Sequence, residues 1–270
     1  MRIGVRGHDY GCASAEEMAR RISEAGFECF QLALHKAIEG FKPEYGQLSP
    51  GFCHDVRRAF EERRLEVAVL GCYIEPADDS EEKRLGDVKR FLEQIAYCRQ
   101  LGSYIVATET SRCAEAERAR KYELLKDSVK RMCAQAEKFG VFVGIEPVLA
   151  HTLNTPKLAA RLLCDVPSPN LMIVLDPINL LSPENIVRQR DIIDECFDLL
   201  GDRVVAVHAK DVVLEHGAFR RCVIGDGIFD HEYFYKKLNR QKPGISVLRE
   251  EAHPETAKRD IEALKRFAQL

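Results

Sequence analysis

The feature that most constrains the fold of this chain is a regular alternation of short apolar runs and longer amphipathic stretches. The eight apolar runs are RIGVRG, FECFQLAL, LEVAVLGCYI, YIVATET, VFVGIEP, LMIVLDP, VVAVHAKD and ISVLREE. The amphipathic stretches cover roughly Ser14–Ala25, Pro50–Arg64, Ser80–Leu101, Ala114–Phe139, Pro156–Leu163, Pro183–Leu200, Asp230–Leu238 and Glu255–Gln269. Strands that alternate with helices predict a parallel sheet, and eight units are enough to close it. We therefore predict an α/β chain that folds as a single (β/α)8 TIM barrel.

The length of the chain and its glycine positions agree with one barrel domain. The chain has 270 residues, and a barrel of this kind takes about 250, so the predicted domain covers residues 1–270. Gly26, Gly102 and Gly140 follow predicted helices, as glycines that end helices do. The alternative is an open, doubly wound sheet, which carries a glycine-rich phosphate loop after its first strand. The stretch GHDYG at that place does not match such a loop.

Charge and cysteine content exclude several classes of function and favour a cytoplasmic protein. The formal net charge is −3, so no overall positive field favours nucleic acid or an acidic membrane surface. The ten cysteines include no C-x-x-C pair, which argues against a zinc knuckle or a thioredoxin-type site. No run is long enough to span a bilayer, and the N-terminus lacks an apolar signal core. Reduced thiols without a signal predict a cytoplasmic location.

Four of the apolar runs in the second half of the chain end in residue types that bind metals. These residues are Glu146, Asp176, His208 and Glu250. In a barrel of parallel strands the C-terminal strand ends meet at one mouth, so we expect the four side chains to converge. Carboxylates with one imidazole suit a single divalent metal ion, for which we predict Mn²⁺, with Mg²⁺, Zn²⁺ or Co²⁺ as alternatives. A polar residue that merely closes a strand is the alternative for any single member.

Further side chains near the predicted mouth are candidates for binding substrate, each with a plainer structural alternative. His8 follows the first strand, Tyr73 ends the third and Glu109 ends the fourth. Lys210 could neutralise a substrate oxygen or simply pair with Asp211. The remaining candidates are Arg220 and Arg221 after the seventh strand, Glu75 and His151, while His54, His216, His231 and His253 are expected at the surface. The stretch Ala37–Gln47 is predicted to be a flexible loop over the mouth, either a lid or a plain surface loop.

The pattern GIEP, LDP, HAKD and EE, with GDGIFD after HAKD, resembles that of the xylose-isomerase-like TIM barrels. This family includes sugar-phosphate isomerases and epimerases, ketose 3-epimerases, inosose dehydratases and hydroxypyruvate isomerases. The resemblance covers essentially the whole chain. It implies that Glu146, Asp176, His208 and Glu250 bind one divalent metal. It also implies that Glu146 and Glu250 form the acid/base pair.

The chain departs from the family pattern at one position and is ambiguous at another. Many members carry Asp-x-x-His on the sixth strand, whereas Asn179 stands in place of that histidine here. Asn179 can bind a substrate hydroxyl but makes a poor metal ligand, which argues against a second or third metal. On the last strand, Glu250 and Glu251 point to opposite faces, and the family pattern selects Glu250.

The resemblance implies an enzyme that moves a proton next to a carbonyl of a small ketose, polyol or sugar phosphate. The predicted activity is a metal-dependent isomerase or epimerase working through an enediolate, with a small sugar or polyol as partner. A cyclic-polyol dehydratase of the inosose type is the first alternative, because the same four ligands serve it. An AP-type endonuclease needs further histidine ligands, whereas the third strand ends in Tyr73 and no D-x-H follows the seventh. A non-catalytic sugar-binding barrel and a homo-oligomeric assembly are left open.

Overall fold

The computed structural model describes the whole chain, from Met1 to Leu270. The strands are β1 (Arg2–Arg6), β2 (Cys29–Leu32), β3 (Glu66–Gly71), β4 (Ile105–Glu109), β5 (Phe142–Glu146), β6 (Leu171–Leu175), β7 (Val204–Ala209), β8 (Val212–Glu215), β9 (Ala218–Arg221) and β10 (Ser246–Arg249). The helices are α1 (Ala15–Ala25), α2 (Leu34–Ala37), α3 (Pro50–Glu61), α4 (Glu81–Tyr97), α5 (Arg118–Phe139), α6 (Pro156–Asp165), α7 (Gln189–Leu200), α8 (His231–Gln241) and α9 (Ala257–Phe267). No helix combines the length and the apolar character needed to cross a membrane.

Eight parallel strands close the predicted TIM barrel, which confirms the fold class. The order around the barrel is β1, β2, β3, β4, β5, β6, β7 and β10, and β10 pairs with β1. Helices connect the barrel strands and pack their apolar faces on the outside of the sheet, where a large buried core forms. Local signals set the helix ends: Ser14 Oγ accepts the Glu17 N–H at 3.3 Å, and Gly26 ends α1 at φ 94°, as predicted.

The barrel interior is filled in layers of side chains. Its apolar layer contains Cys29, Ala68, Val69, Ala107, Val174, Ala206 and Leu248. Gly4 and Gly144 complete this layer, because a Cβ on Gly4 would lie 2.7 Å from Leu248 Cδ2 and one on Gly144 would lie 2.9 Å from Val174 Cγ2. The interior is therefore too narrow there for a further side chain.

A layer of mostly polar residues lies above the apolar layer, toward the C-terminal strand ends. Successive side chains of a strand alternate between its faces, so residues two positions further along face the same interior. This polar layer takes one residue from each barrel strand or from the position directly after it, namely Arg6, Gln31, Gly71, Glu109, Glu146, Asp176, His208 and Glu250. Because side chains alternate between the faces of all eight strands, one ring of mostly polar residues lies at the mouth.

The structure also contains elements that the sequence did not predict. An antiparallel hairpin, β8 with β9, follows β7 and does not join the barrel. A short helix, α2, begins directly after β2, before the predicted loop. The carboxylate of Glu93 holds that loop by accepting the N–H groups of Gly46 at 3.0 Å and Leu48 at 3.4 Å. The predicted helix from Pro183 is regular only from Gln189.

Candidate metal centre

Four side chains of the polar layer converge at the mouth of the barrel. Glu146 is the last residue of β5, His208 lies within β7, and Asp176 and Glu250 directly follow β6 and β10. One ligand atom from each lies within 4.8 Å of the others. Their exposed fractions are 0% for Asp176, 3% for His208, 4% for Glu146 and 6% for Glu250. The structure brings together the four residues chosen as ligands from the sequence, with Glu250 rather than Glu251 among them.

The imidazole of His208 lies between two of the carboxylates and one amide. Its Nδ1 is 3.1 Å from Glu146 Oε2 and 3.2 Å from Glu250 Oε2. On the other side of the ring, Nε2 is 2.7 Å from Oε1 of Gln31. The ring therefore points one nitrogen at the cluster and the other at a fixed polar partner on β2.

Lys210 and Asn179 do not belong to the four candidate ligands but contact their carboxylates directly. Lys210 Nζ lies 2.9 Å from Asp176 Oδ2 and 3.1 Å from Glu250 Oε2. It also donates to Asn179 Oδ1 at 3.0 Å, while Asn179 Nδ2 donates to Glu146 Oε1 at 2.7 Å. The amide that stands where relatives carry histidine therefore links a ligand carboxylate to the buried ammonium.

The suggested pairing of Lys210 with Asp211 is wrong. Asp211 is fully buried and points away, where its carboxylate lies 3.0 Å from His231 Nε2. The prediction of a surface His231 is wrong as well, because the ring is buried and stacks on Phe267. The carboxylate of Asp211 also accepts four backbone N–H groups, those of Val212, Gly225, Gly227 and Phe229. Asp211 thus anchors the GDGIFD loop.

Opposing charges set the protonation of the cluster. Burial lowers the pKa of His208, but the negative charges of Glu146 and Glu250 outweigh it and raise the pKa to about 9. Burial raises the pKa of Glu250, but His208, Lys210 and Arg6 outweigh it and lower the pKa to about 2. Glu250 is therefore held as a carboxylate at neutral pH.

The donor atoms present fit a divalent cation. Asp176 Oδ2, His208 Nδ1 and Glu250 Oε2 are buried and make no hydrogen bond of normal geometry. Lys210 reaches two of these oxygens only as an ionic contact. Buried polar atoms are almost always hydrogen-bonded, so these three atoms, close to one another within the cluster, are suited to share a cationic partner. Three carboxylates and one imidazole nitrogen are ligands suited to Mn²⁺, Mg²⁺, Zn²⁺ or Co²⁺.

A cavity of about 460 Å³ opens beside the cluster at the mouth, and several predicted substrate residues line it. Tyr73 and Glu109 belong to its wall, together with Arg6, Lys36 and His151. Burial and the charges of Glu146 and Glu250 raise the pKa of Glu109 to about 7.

Two cations of this wall are held in different ways. Arg6 lies 2.7 Å from Asp9 and also contacts Glu250. Lys36 Nζ lies 3.5 Å above the Tyr73 ring.

His8 packs behind Tyr73, near the wall of the same cavity. Its ring meets the Tyr73 ring edge to face, with the centroids 5.7 Å apart. Burial, followed by the positive charges of Arg6 and Lys36, lowers the pKa of His8 to about 3. His8 is therefore neutral, and its position supports Tyr73.

Two predicted or alternative candidates lie away from the cluster. Arg220 is on β9, and its guanidinium binds both carboxylate oxygens of Glu215 at 2.6 Å. None of its hydrogen bonds or ion pairs reaches the four candidate ligands. Glu251 adopts a positive φ of 58° and turns its carboxylate to Arg221, 2.8 Å away. Because of this backbone conformation, the carboxylates of the adjacent residues Glu250 and Glu251 have different partners.

Sequence reasoning missed three residues that the structure places at or beside the site. These are Arg6, Gln31 and Lys36. Gln31 carries a usable signal, because it is a polar residue within the apolar run FECFQLAL, two positions after an interior residue. Arg6 ends β1 in the same way as Glu109 ends β4. Lys36 lies on α2, which was not predicted.

The family model described as xylose isomerase-like TIM barrel matches residues 19–267. The chain belongs to this family. A comparison with curated protein sequences finds no significant match.

Among solved structures, 3-keto-D-glucoside 4-epimerase YcjR of E. coli is 18% identical, with a TM-score of 0.76 and 100% of both chains covered. A probable 3-DHS dehydratase, AsbF of Bacillus anthracis, is 15% identical, with a TM-score of 0.76 over 98% of this chain and 99% of that one. IolI protein with a bound zinc atom is 16% identical, with a TM-score of 0.71 over 99% and 96%. Likeness at this level establishes the shared fold.

Proposed function

We propose that this chain is a metal-dependent isomerase or epimerase of a small ketose, polyol or sugar phosphate. The observation that carries the proposal is the buried cluster of Glu146, Asp176, His208 and Glu250, whose ligand atoms lie within 4.8 Å of one another. The cluster lies at the C-terminal mouth of a TIM barrel, where barrel enzymes have their active sites. An epimerase and a zinc-binding protein among the structures of similar fold support the same assignment.

The four ligands would hold one divalent cation, and we propose Mn²⁺ as that cation. Bound there, the cation would supply Lewis-acid stabilisation of the negative charge that develops on a substrate oxygen. Zinc in IolI protein keeps Zn²⁺ among the alternatives. Because Asn179 replaces a histidine and binds Glu146 and Lys210, the chain's own side chains support one metal rather than two.

We assign proton transfer to Glu146 and Glu250, which lie on either side of His208 Nδ1. Glu250 is ionised and can accept a proton from carbon, while Asn179 orients the Glu146 carboxylate through Oε1. Both acids are buried, which excludes bulk water from the transferred proton.

Tyr73 and Glu109, which line the mouth cavity, are proposed to bind substrate hydroxyls, with His8 in edge-to-face contact with Tyr73. Lys210 and Asn179 are proposed to bind substrate oxygens at the inner end of the same site.

A dehydratase of a cyclic polyol is the second candidate. The same ligand set would serve loss of a hydroxyl after proton removal, and a probable dehydratase is among the structures of similar fold. An AP-type endonuclease finds less support, because Tyr73 ends the third strand region and the hairpin that follows β7 contains no D-x-H motif. A cytoplasmic location stays a prediction, supported by ten cysteines that are all free. The non-catalytic barrel and the homo-oligomer stay open.

Metal reconstitution combined with isotope exchange tests this function. The protein is stripped with a chelator, reloaded separately with Mn²⁺, Mg²⁺, Zn²⁺ or Co²⁺, and supplied with ketoses, ketose phosphates and cyclic polyols in D₂O. We expect one bound metal per chain, metal-dependent turnover, and exchange of the hydrogen next to the carbonyl. Products analysed by NMR separate isomerisation, epimerisation and dehydration.

Three variants separate the assigned acids from their neighbour. Glu146→Gln and Glu250→Gln should each lower turnover by at least ~100-fold, as loss of a general acid or base does. Glu251→Gln is the matched control, because Glu251 is adjacent to Glu250 but binds Arg221. An absence of stoichiometric metal, or full turnover in both ligand variants, would overturn the proposal.

A further inference from the structure

We propose that Gln31 is a positioning residue that fixes the His208 ring as an Nδ1 metal ligand and thereby sets the affinity of the centre. The inference rests on the proposed metal centre and adds to it a residue outside the ligand set. Gln31 lies on β2, across the barrel from β7, and its side chain is 3% exposed. A buried amide between apolar neighbours needs hydrogen-bond partners, because burying its polar atoms unpaired costs free energy.

Gln31 has a hydrogen-bond partner at each end of its amide. Its Oε1 lies 2.7 Å from His208 Nε2, and its Nε2 donates to the Tyr73 hydroxyl oxygen at 3.0 Å. Both ends of the amide are therefore engaged, and each end meets a different partner. In this orientation the Tyr73 oxygen accepts the N–H₂ group, which leaves the amide carbonyl for the histidine.

This orientation determines which nitrogen of His208 is free to bind a cation. Neutral imidazole carries one proton, and the nitrogen without it holds the lone pair that binds metal. A carbonyl oxygen facing Nε2 requires the proton on Nε2. When the ring loses its second proton on metal binding, Nδ1, which lies 3.1 Å from Glu146 and 3.2 Å from Glu250, presents its lone pair to the cluster. Residues in this position typically change metal affinity by about 10–100-fold when replaced.

The neighbouring strand leaves space for the amide. Gly71 is the one member of the polar layer without a side chain, and a Cβ there would lie 2.8 Å from Gln31 Nε2. Real Cβ atoms essentially never come so close to another heavy atom. The Gln31 amide thus occupies the interior place that a side chain on β3 would take, which explains the absence of one at Gly71.

The same chain of contacts reaches the substrate cavity. Because the Tyr73 oxygen accepts from Gln31, its own O–H is free to donate elsewhere, and Tyr73 lines the cavity beside the cluster. A substrate oxygen bound by that hydroxyl would be linked through Gln31 to the ligand His208. Gln31 therefore connects the metal ligand with the wall that contacts substrate.

Co²⁺ binding to four proteins tests the inference. Metal-free wild type, Gln31→Met, Gln31→Glu and Gln94→Met are titrated with Co²⁺, and affinity and visible absorption are recorded. Methionine has a similar length but no hydrogen-bonding carbonyl, whereas glutamate keeps an acceptor for His208 Nε2. Gln94 is also a buried glutamine, 6% exposed, and lies on α4 outside the barrel interior, so it controls for the loss of a buried amide.

We expect Gln31→Met to weaken Co²⁺ binding by about 10–100-fold and to change the absorption spectrum. Gln31→Glu should restore the affinity to within about tenfold of wild type, and Gln94→Met should bind like wild type. Gly71→Ala, which crowds Gln31 without replacing it, should also weaken binding. Thermal unfolding of each metal-free variant verifies that it is folded.

The outcomes separate this inference from the metal centre itself. Wild type that binds one Co²⁺ while Gln31→Met binds it equally tightly overturns the positioning role and leaves the centre intact. Equal loss in Gln31→Met and Gln94→Met would assign the effect to general destabilisation and also overturns the role. Wild type that binds no Co²⁺ overturns the proposed centre and this inference together.

Discussion

Replacing Lys210 by Met should destabilise the metal-free protein far more than the metal-loaded one. Lys210 is 3% exposed, and its Nζ lies 2.9 Å from Asp176 Oδ2 and 3.1 Å from Glu250 Oε2. Burial disfavours its charge, but Asp176 and Glu250 outweigh burial and raise the pKa of the ammonium. Methionine keeps the apolar stem and removes the charge, which leaves Asp176 without its cation and Glu250 with one cation fewer beside Arg6.

The expected magnitude follows from the burial of this group. Removing one partner of a buried ion pair destabilises a protein by about 3–5 kcal/mol. At about 2 °C per kcal/mol for a chain of this size, Tm should fall by about 6–10 °C without metal. A bound divalent cation faces the same carboxylates, so we expect a loss of only about 1–2 kcal/mol in the loaded protein. A difference of about 2 kcal/mol corresponds to roughly 30-fold tighter Co²⁺ binding by the variant.

Calorimetric unfolding in chelator and in saturating Co²⁺ measures the loss of stability in the two states, and Co²⁺ titration measures the change in affinity. Lys121→Met is the matched control, because Lys121 is also buried but donates to the Ala77 carbonyl at 2.9 Å, outside the cluster. Its loss of stability should be the same with and without Co²⁺. Equal losses for Lys210→Met in the two states, or unchanged Co²⁺ affinity, would refute the view that ammonium and metal compensate the same charges.

Three further predictions concern residues near the mouth. Asp211→Asn should destabilise the protein by about 3–5 kcal/mol in urea unfolding, whereas Asp226→Asn, in the same loop but exposed, should change stability by less than about 1 kcal/mol. Burial raises the pKa of Asp211, but His231 and backbone N–H groups outweigh it and lower the pKa. Its stabilisation is therefore complete above about pH 4 and lost as the pH falls below that value, so equal pH slopes for wild type and Asp211→Asn would contradict the assignment. Arg220→Ala should leave the KM of the active substrate within about threefold, because its partner Glu215 is on the exposed hairpin; a tenfold rise would restore Arg220 as a substrate residue.

The barrel and the four candidate ligands were accessible from sequence because both depend on local patterns. Apolar runs that alternate with amphipathic stretches determine parallel strands, and the topology then brings their ends to one mouth. Glu146, Asp176, His208 and Glu250 each stand at such an end. Their convergence needs no long-range information beyond closure of the sheet.

The contacts that tune the site depend on tertiary structure and were not accessible in this way. Gln31 is separated from His208 by 177 positions, and only barrel closure brings the two together. The hairpin of β8 and β9 was missed because its turn is His216–Gly217, with φ values of 50° and 77°. Asn-Gly or Asp-Gly is the recognisable signal for such a turn, and histidine at the first position obscures it.

Strand β3, which pairs with the strand that carries Gln31, contains one residue more than its pairing with β2 requires. Phe30 pairs with Val67 and Gln31 with Val69, so Ala68 is skipped and both Ala68 and Val69 face the interior. Ala68 is thus a bulge residue, and its loss would bring Val67 and Val69 into regular alternation without changing the face of any later residue of β3. Tyr73 would therefore keep its place at the mouth after deletion of Ala68, whereas deletion of a residue between Val69 and Cys72 would turn Tyr73 outward. The bulge therefore gives β3 one position at which the chain can lose a residue while the Tyr73 wall of the mouth cavity is retained.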